Sequence, residues 1–114
     1  MSDCLFCKIV AGEIPAKVVA ESDTSLAFED IAPQAPVHVL VIPKRHFTSV
    51  NDVTVADPCV FEDLFRLMEQ VVADEGVRES GYRLTFNVGE DGQQTVPHLH
   101  MHVLGGRRMT WPPG

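Results

Sequence analysis

Apolar residues recur along this chain with two periods, and the switch between them predicts the elements. Residues 5–11 fit a single short helical turn that ends near Gly12. Val18 to Glu21 and Leu26 to Glu29 read as short strands joined by a tight turn at Ser22-Asp23. Two prolines mark Ile31-Ala32-Pro33-Gln34-Ala35-Pro36 as a loop. Val37 to Ile42 is almost continuously apolar apart from His38, the pattern of a central strand buried on both faces, and Pro43 is placed to end it. Asp57 fits an N-cap with Pro58 at the first helical position. From there Phe61, Leu64, Leu67, Met68, Val71 and Val72 recur at steps of three and four, giving a helix with one apolar stripe and a stop at Gly76. Tyr82 to Asn87 alternates as a fourth strand, Gly89 to Gln94 is a polar loop, and Leu99 to Leu104 is a fifth strand. The order predicts an α+β domain over residues 1–114: a mostly antiparallel five-stranded sheet with one long helix on one face and a short N-terminal helix.

Composition narrows the function classes. The 114 residues carry a net charge of −7, which argues against a surface made to neutralise a nucleic-acid polymer but leaves room for local donors to a small phosphate. No apolar run is long enough to span a bilayer, and Met1-Ser2-Asp3-Cys4 lacks the basic and apolar regions of a secretory leader, so a cytoplasmic protein is expected. A chain this short buries a modest share of its surface, so a dimer or a bound metal would add stability. Of the three cysteines, Cys4 and Cys7 have CxxC spacing, which in a reducing compartment reads as metal or redox chemistry before a structural disulfide. A thioredoxin-like role ranks low, because no βαβ unit precedes the pair. Cys59, near the helix start, reads as a small packing or surface residue.

The candidate chemistry lies in the last strand. His98, His100 and His102 alternate with Leu99, Met101 and Val103, so period two puts three imidazoles on one face and three apolar side chains on the other. Histidine is uncommon, and an amphipathic strand would rarely take it three times by chance. The trio reads as a metal site, a catalytic site, or both.

His98-Leu99-His100-Met101-His102-Val103-Leu104 resembles the signature of the histidine triad (HIT) family, three histidines separated and followed by apolar residues. The resemblance extends to Cys4 through Lys17, to Phe28-Glu29-Asp30-Ile31 and to Pro36 through Lys44. The tail from Gly105 to Trp111-Pro112-Pro113-Gly114 is similar to the Hint branch, the adenosine phosphoramidase-like one, rather than the Fhit branch. The resemblance implies that His100 is the nucleophile, forming a nucleotidyl-histidine that water hydrolyses. His102 would donate to the phosphate, and Asn87 and Gln94 fall where the family contacts it. Backbone N–H groups from Gly92 to Val96 would add donors. Thr95 stands where Hint proteins carry serine, Gln93 where relatives have a small residue, and Pro97 where an aromatic is common; these departures lie in the phosphate loop. Asp30 would bind the ribose hydroxyls, and Phe6, Ile9, Phe28, Ile31 and Leu40 would wall the base, with plain core packing as the rival role for Ile9 and Leu40. Glu29 falls where some relatives place a histidine near the base. His38 would back the catalytic strand, either chemically or as a satisfied structural histidine.

The same resemblance implies zinc. Some relatives bind it with a CxxC pair and two histidines, here Cys4, Cys7, His46 and His98, which would turn His98 from direct catalysis to metal ligation. It also implies a homodimer in which the sheets join across a two-fold axis and Trp111 reaches the partner's site. The activity implied is hydrolysis of purine nucleoside phosphoramidates, of the AMP-amine or AMP-lysine type. The alternatives are a dinucleoside polyphosphate hydrolase and a nucleotide-binding regulatory protein with incidental hydrolysis.

Overall fold

Residues 3–53 and 57–114 are described by the computed structural model; Met1 and Ser2, on which part of the N-terminal reading falls, and residues 54–56 lie outside the described part. Strands β1 (Val18–Glu21), β2 (Ser25–Glu29), β3 (Val37–Pro43), β4 (Tyr82–Phe86) and β5 (Met101–Gly105) form one antiparallel sheet in the order β1-β2-β3-β5-β4. Helix α1 (Leu5–Val10) lies at the N-terminus, and α2 (Cys59–Asp74) connects the third and fourth strands. This is the α+β architecture read from the periodicities.

The sheet separates two apolar layers. On one side the α2 stripe, Leu64, Leu67, Met68, Val71 and Val72, packs on Ala27, Val39, Val41, Leu99, Met101 and Val103. On the other, Phe6 of α1 joins Leu26, Phe28, Leu40 and Ile42. Alternate residues of β3 serve the two layers, which is why its sequence is nearly all apolar. Each fully buried Leu, Val or Met contributes about 1.5–3 kcal/mol of transfer free energy, so the α2 face carries much of the fold's stability.

Two element boundaries differ from expectation in informative ways. α2 begins at Cys59 with Pro58 as its cap residue, and Asp57 contributes its backbone carbonyl to the Val60 N–H at 3.2 Å. The fifth strand begins at Met101, not Leu99. Pro43 lies across from Leu99 where the β3–β5 register would continue, and Pro43 has no N–H to donate. Its carbonyl instead accepts from His98 Nε2 at 2.9 Å, while the Leu99 N–H turns to the Phe47 carbonyl at 2.7 Å. His98, Leu99 and His100 therefore enter the sheet as an extended lead-in, and only His102 of the trio sits in the ladder. The two-sided alternation nevertheless persists: Leu99, Met101 and Val103 face α2, and Phe6 meets the rings of His98 and His100 edge-on at 5.8 and 5.2 Å on the other side.

Candidate active site and metal centre

Hydrogen bonding selects the tautomers of the site histidines. His100 Nδ1 is 2.7 Å from the His98 carbonyl, which can only accept, so Nδ1 carries the proton and Nε2 keeps its lone pair. Among the described residues Nε2 has no protein partner, and the ring lines a cavity of about 350 Å³. Burial pushes the His100 pKa below the ordinary histidine value, only partly offset by that carbonyl and by Asp30, so the ring is neutral and nucleophilic near pH 7.

His38 and His102 form a second pair. Leu40 is opposite His102 in the ladder, and His38, two residues before Leu40, reaches it diagonally. The Gln34 N–H donates to His38 Nδ1 at 3.0 Å, so His38 holds its proton on Nε2 and donates it to His102 Nδ1 at 2.9 Å. His102 is left with its proton on Nε2, and that atom is buried with no acceptor among the described residues. A buried unpaired donor costs about 1–3 kcal/mol, and an oxyanion in the cavity would remove that cost. An added proton on this pair would displace one of its hydrogen bonds. Burial, together with His100 and His38, holds the His102 pKa down at about 4, and burial also lowers that of His38 against the pull of Asp30. His102 is thus a hydrogen-bond donor more than an acid.

The cavity collects most of the residues expected to bind a nucleoside. Phe6, Ile9, Phe28, Ile31 and Leu40 line it together with Asp30 and Thr95. Ile31 is 98 % exposed, so it stands at the rim as a side chain with nothing yet to cover. One Asp30 oxygen accepts the Ala32 N–H at 2.8 Å, as a turn aspartate does, and the other lies 3.5 Å from His38 Nε2. Its turn role and a ribose-binding role are compatible, because a carboxylate has spare lone pairs. Ile14, Pro15, Ala16 and Val96 also line the cavity. The signal of the first three, a short apolar run soon after Gly12, is too weak to read in isolation, and Val96 stands alone in a polar loop. Glu29 lies at the cavity edge with Lys17 3.4 Å away.

Gln94 and Asn87 lie elsewhere. The Gln94 carboxamide donates to the carbonyls of Thr48 at 2.7 Å and Val96 at 3.0 Å and accepts from the Gly89 N–H at 3.3 Å, so it holds the loop's shape. Asn87 borders a separate chamber on another side of His102. The loop itself is tight: a Cβ on Gly92 would collide with the Val88 carbonyl, and Gln93 adopts a left-handed φ of 57° that favours glycine. Among the described residues no acceptor meets the backbone N–H of Thr95 or Val96, and both residues line the main cavity. These N–H groups and the exposed Thr95 hydroxyl are available to a ligand.

Cys4, Cys7, His46 and His98 converge into a cluster that can hold a metal ion. Cys4 Sγ and His98 Nδ1 are 3.3 Å apart, Cys7 Sγ and His46 Nδ1 3.3 Å, Cys7 Sγ and His98 Nδ1 3.5 Å, and the two Nδ1 atoms 3.2 Å. A tetrahedral zinc with ordinary Zn–S and Zn–N bonds has S···N edges of about 3.5 Å and an N···N edge of about 3.3 Å. The four side chains fit that polyhedron. His98 also donates through Nε2 to the Pro43 carbonyl, which leaves Nδ1 as the ligating atom, and burial favours the neutral ring that ligation needs. His98 is 0 % exposed and is not among the residues that line the nucleoside cavity, and its Nδ1 faces the cysteine pair. Cys59 is exposed at the start of α2, apart from both sites.

The sequence matches the HIT domain family over residues 11–109. It is 48 % identical over 112 residues to a HIT-like protein of Synechococcus elongatus, covering 98 % of this chain and 97 % of that one. The structure is similar to a HIT family hydrolase of Legionella pneumophila, with a TM-score of 0.95 and 53 % identity over 98 % of this chain and 100 % of the other. It is also similar to a histidine triad protein of Clostridium difficile, with a TM-score of 0.93 and 39 % identity over 96 % of each chain.

Proposed function

Because this chain belongs to the HIT domain family, we propose that it hydrolyses purine nucleoside phosphoramidates through a covalent bond between His100 and the nucleotide phosphorus. The carrying observation is the His100 ring: its Nδ1 proton is committed to the His98 carbonyl, and its Nε2 lone pair is unpartnered at the wall of a cavity that also holds Asp30 and the His102 donor. The coarser assignment, a nucleotide hydrolase or transferase, is supported by the family and by the similar Legionella hydrolase. The Hint-like tail favours a phosphoramidate over a dinucleoside polyphosphate.

The base enters between Phe6, Phe28 and Ile31, and Asp30 accepts from the ribose hydroxyls. His102 Nε2–H and the Thr95 and Val96 N–H groups meet the phosphate oxygens, so charge that builds in the transition state finds fixed donors. His100 Nε2 forms the N–P bond as the substrate's P–N bond breaks. The departing nitrogen takes a proton from solvent by way of the exposed Thr95 hydroxyl. Water then attacks phosphorus, its proton passes to solvent, and the bonding pair returns to His100 Nε2, giving the amine and the nucleotide. No metal is required for these steps. The cluster of Cys4, Cys7, His46 and His98 would hold a structural zinc that ties the N-terminal segment to the lead-in of the catalytic strand. We also read the working unit as a homodimer, since Trp111 is 80 % exposed and β4 is an edge strand.

Mass spectrometry of protein quenched while turning over an adenosine phosphoramidate tests the proposal. An AMP adduct on His100 is expected. An adduct on another residue, or turnover unaffected in His100→Ala, overturns it.

A further inference from the structure

A second chamber, of about 340 Å³, meets the nucleoside cavity at His102. His38, Gln34 and Asn87 line it beside His102, and two arginines, Arg83 of β4 and Arg107 of the tail, complete it. Among the described residues no carboxylate lines it, although the chain as a whole carries a net charge of −7. Among the described residues neither arginine forms an ion pair, whereas Arg66 and Arg78 both do. The two guanidinium groups are positioned all the same. Arg83 donates to the Thr110 carbonyl at 2.9 Å, while Arg107 donates to the Gln34 carbonyl at 3.1 and 3.2 Å and to the Arg108 carbonyl at 3.2 Å. Carbonyl partners orient a guanidinium without neutralising it. Of five N–H bonds each, Arg83 retains four and Arg107 two for a further acceptor.

From this we infer that the second chamber is an oxyanion subsite for the leaving group, so that preferred substrates join the nucleotide to a group bearing a carboxylate or a phosphate. The inference rests on the proposed nucleotidyl transfer and deepens it. Phosphorus bound at His100 and His102 would lie between the chambers, with the nucleoside on the Phe6 and Phe28 side and the departing group on the Arg83 and Arg107 side. An unscreened pair of cations facing a reacting phosphate would attract an anionic group and disfavour an amine bearing a second positive charge.

Two measurements test it. The first compares kcat/KM for AMP–glycine, whose leaving group ends in a carboxylate, with that for AMP–glycinamide, whose leaving group is neutral. Wild type should prefer the former by about tenfold or more. The preference should collapse towards unity in Arg83→Gln and Arg107→Gln, and Arg107→Lys should restore part of it. A merely structural role would lower both substrates together and leave the ratio unmoved. The second needs no turnover: side-chain NMR of the arginines during titration with AMP or with adenosine 5′-(α,β-methylene)diphosphate, which carries an additional phosphate and resists cleavage at the bridge. The Arg83 and Arg107 Nε–H signals should move with the diphosphate analogue and remain still with AMP. A response only in the first measurement identifies carboxylate leaving groups, and a response only in the second identifies phosphates; either supports the subsite. Equal kinetic ratios in wild type and variants, together with signals indifferent to the added phosphate, overturn it. So does an Arg83→Gln variant that changes the solution mass while keeping the wild-type substrate ratio, because the chamber is then a contact between subunits. If no phosphoramidate is turned over at all, the proposed reaction fails while the titration still decides the subsite.

Discussion

The two faces of residues 98–103 differ in how completely their groups are satisfied. Leu99, Met101 and Val103 are wholly enclosed by α2 and the neighbouring strands, so that face is finished when the chain folds. On the opposite face His98 is bonded to Pro43 and gathered with Cys4, Cys7 and His46, but among the described residues nothing bonds His100 Nε2 or His102 Nε2. The finished face secures the backbone, and the unfinished one retains binding capacity for a ligand. A strand can do both because its side chains alternate.

Substitutions should separate these roles. His100→Ala should lower kcat/KM by about ten-thousandfold or more, since it removes the bond-forming atom, with thermal unfolding little altered; a loss below tenfold in steady-state assays would contradict the assignment. Metal removal comes next. If the Cys4–Cys7–His46–His98 cluster holds zinc, free metal a thousandfold above Kd stabilises the fold by about 4 kcal/mol. Calorimetry with and without a chelator should show that difference in wild type and lose it in Cys7→Ser. On the finished face, Met101→Ala should cost about 2–5 kcal/mol in denaturant titrations through lost burial and a cavity, while the per-molecule rate of the remaining folded protein stays close to wild type.

Acid should act through the unfinished face. The unfolded chain protonates histidine near 6.5, whereas folded His102 waits until about 4 and His38 is also lowered. The fold therefore binds fewer protons than the unfolded chain in that interval. The stability these groups contribute is complete above pH 6.5, declines as pH falls through the interval and is lost below about 4. Urea midpoints measured from pH 7.5 to 4 should fall, with a shallower slope in His102→Gln; an equal slope would remove His102 as the cause. The smallest effect is expected in the phosphate loop. Relief of the left-handed φ at Gln93 by glycine gains about 1 kcal/mol and gives part of it back as chain entropy, so Gln93→Gly should raise Tm by a degree or two.

Much of this is legible in the sequence. The period-two histidines marked a two-faced segment, the α2 stripe marked the covering helix, and the resemblance drew Phe6, Asp30 and His100 into one cavity. Pro43 marks a strand end in the sequence, but its effect on the facing strand depends on which residue lies across the ladder, and that is set by the fold. Gln94, which the resemblance places near phosphate, braces its loop, since a carboxamide binds whatever backbone groups the loop brings near. The Arg83–Arg107 chamber had no local signature at all: the two residues are far apart in sequence and meet through the path of the tail.

What the sequence alone determined was periodicity and chemical inventory: which segments present an apolar face, where helices and turns begin, and that three imidazoles share one side of an extended segment. These are local properties, set by backbone geometry within a few residues. Only the tertiary structure decided which imidazole nitrogens carry protons, which donors remain unpaired, and that Cys4 and Cys7 meet His46 and His98. Each of those outcomes depends on a partner distant along the chain, and a hydrogen bond or a ligand polyhedron exists only once folding has brought both ends to within a few ångströms.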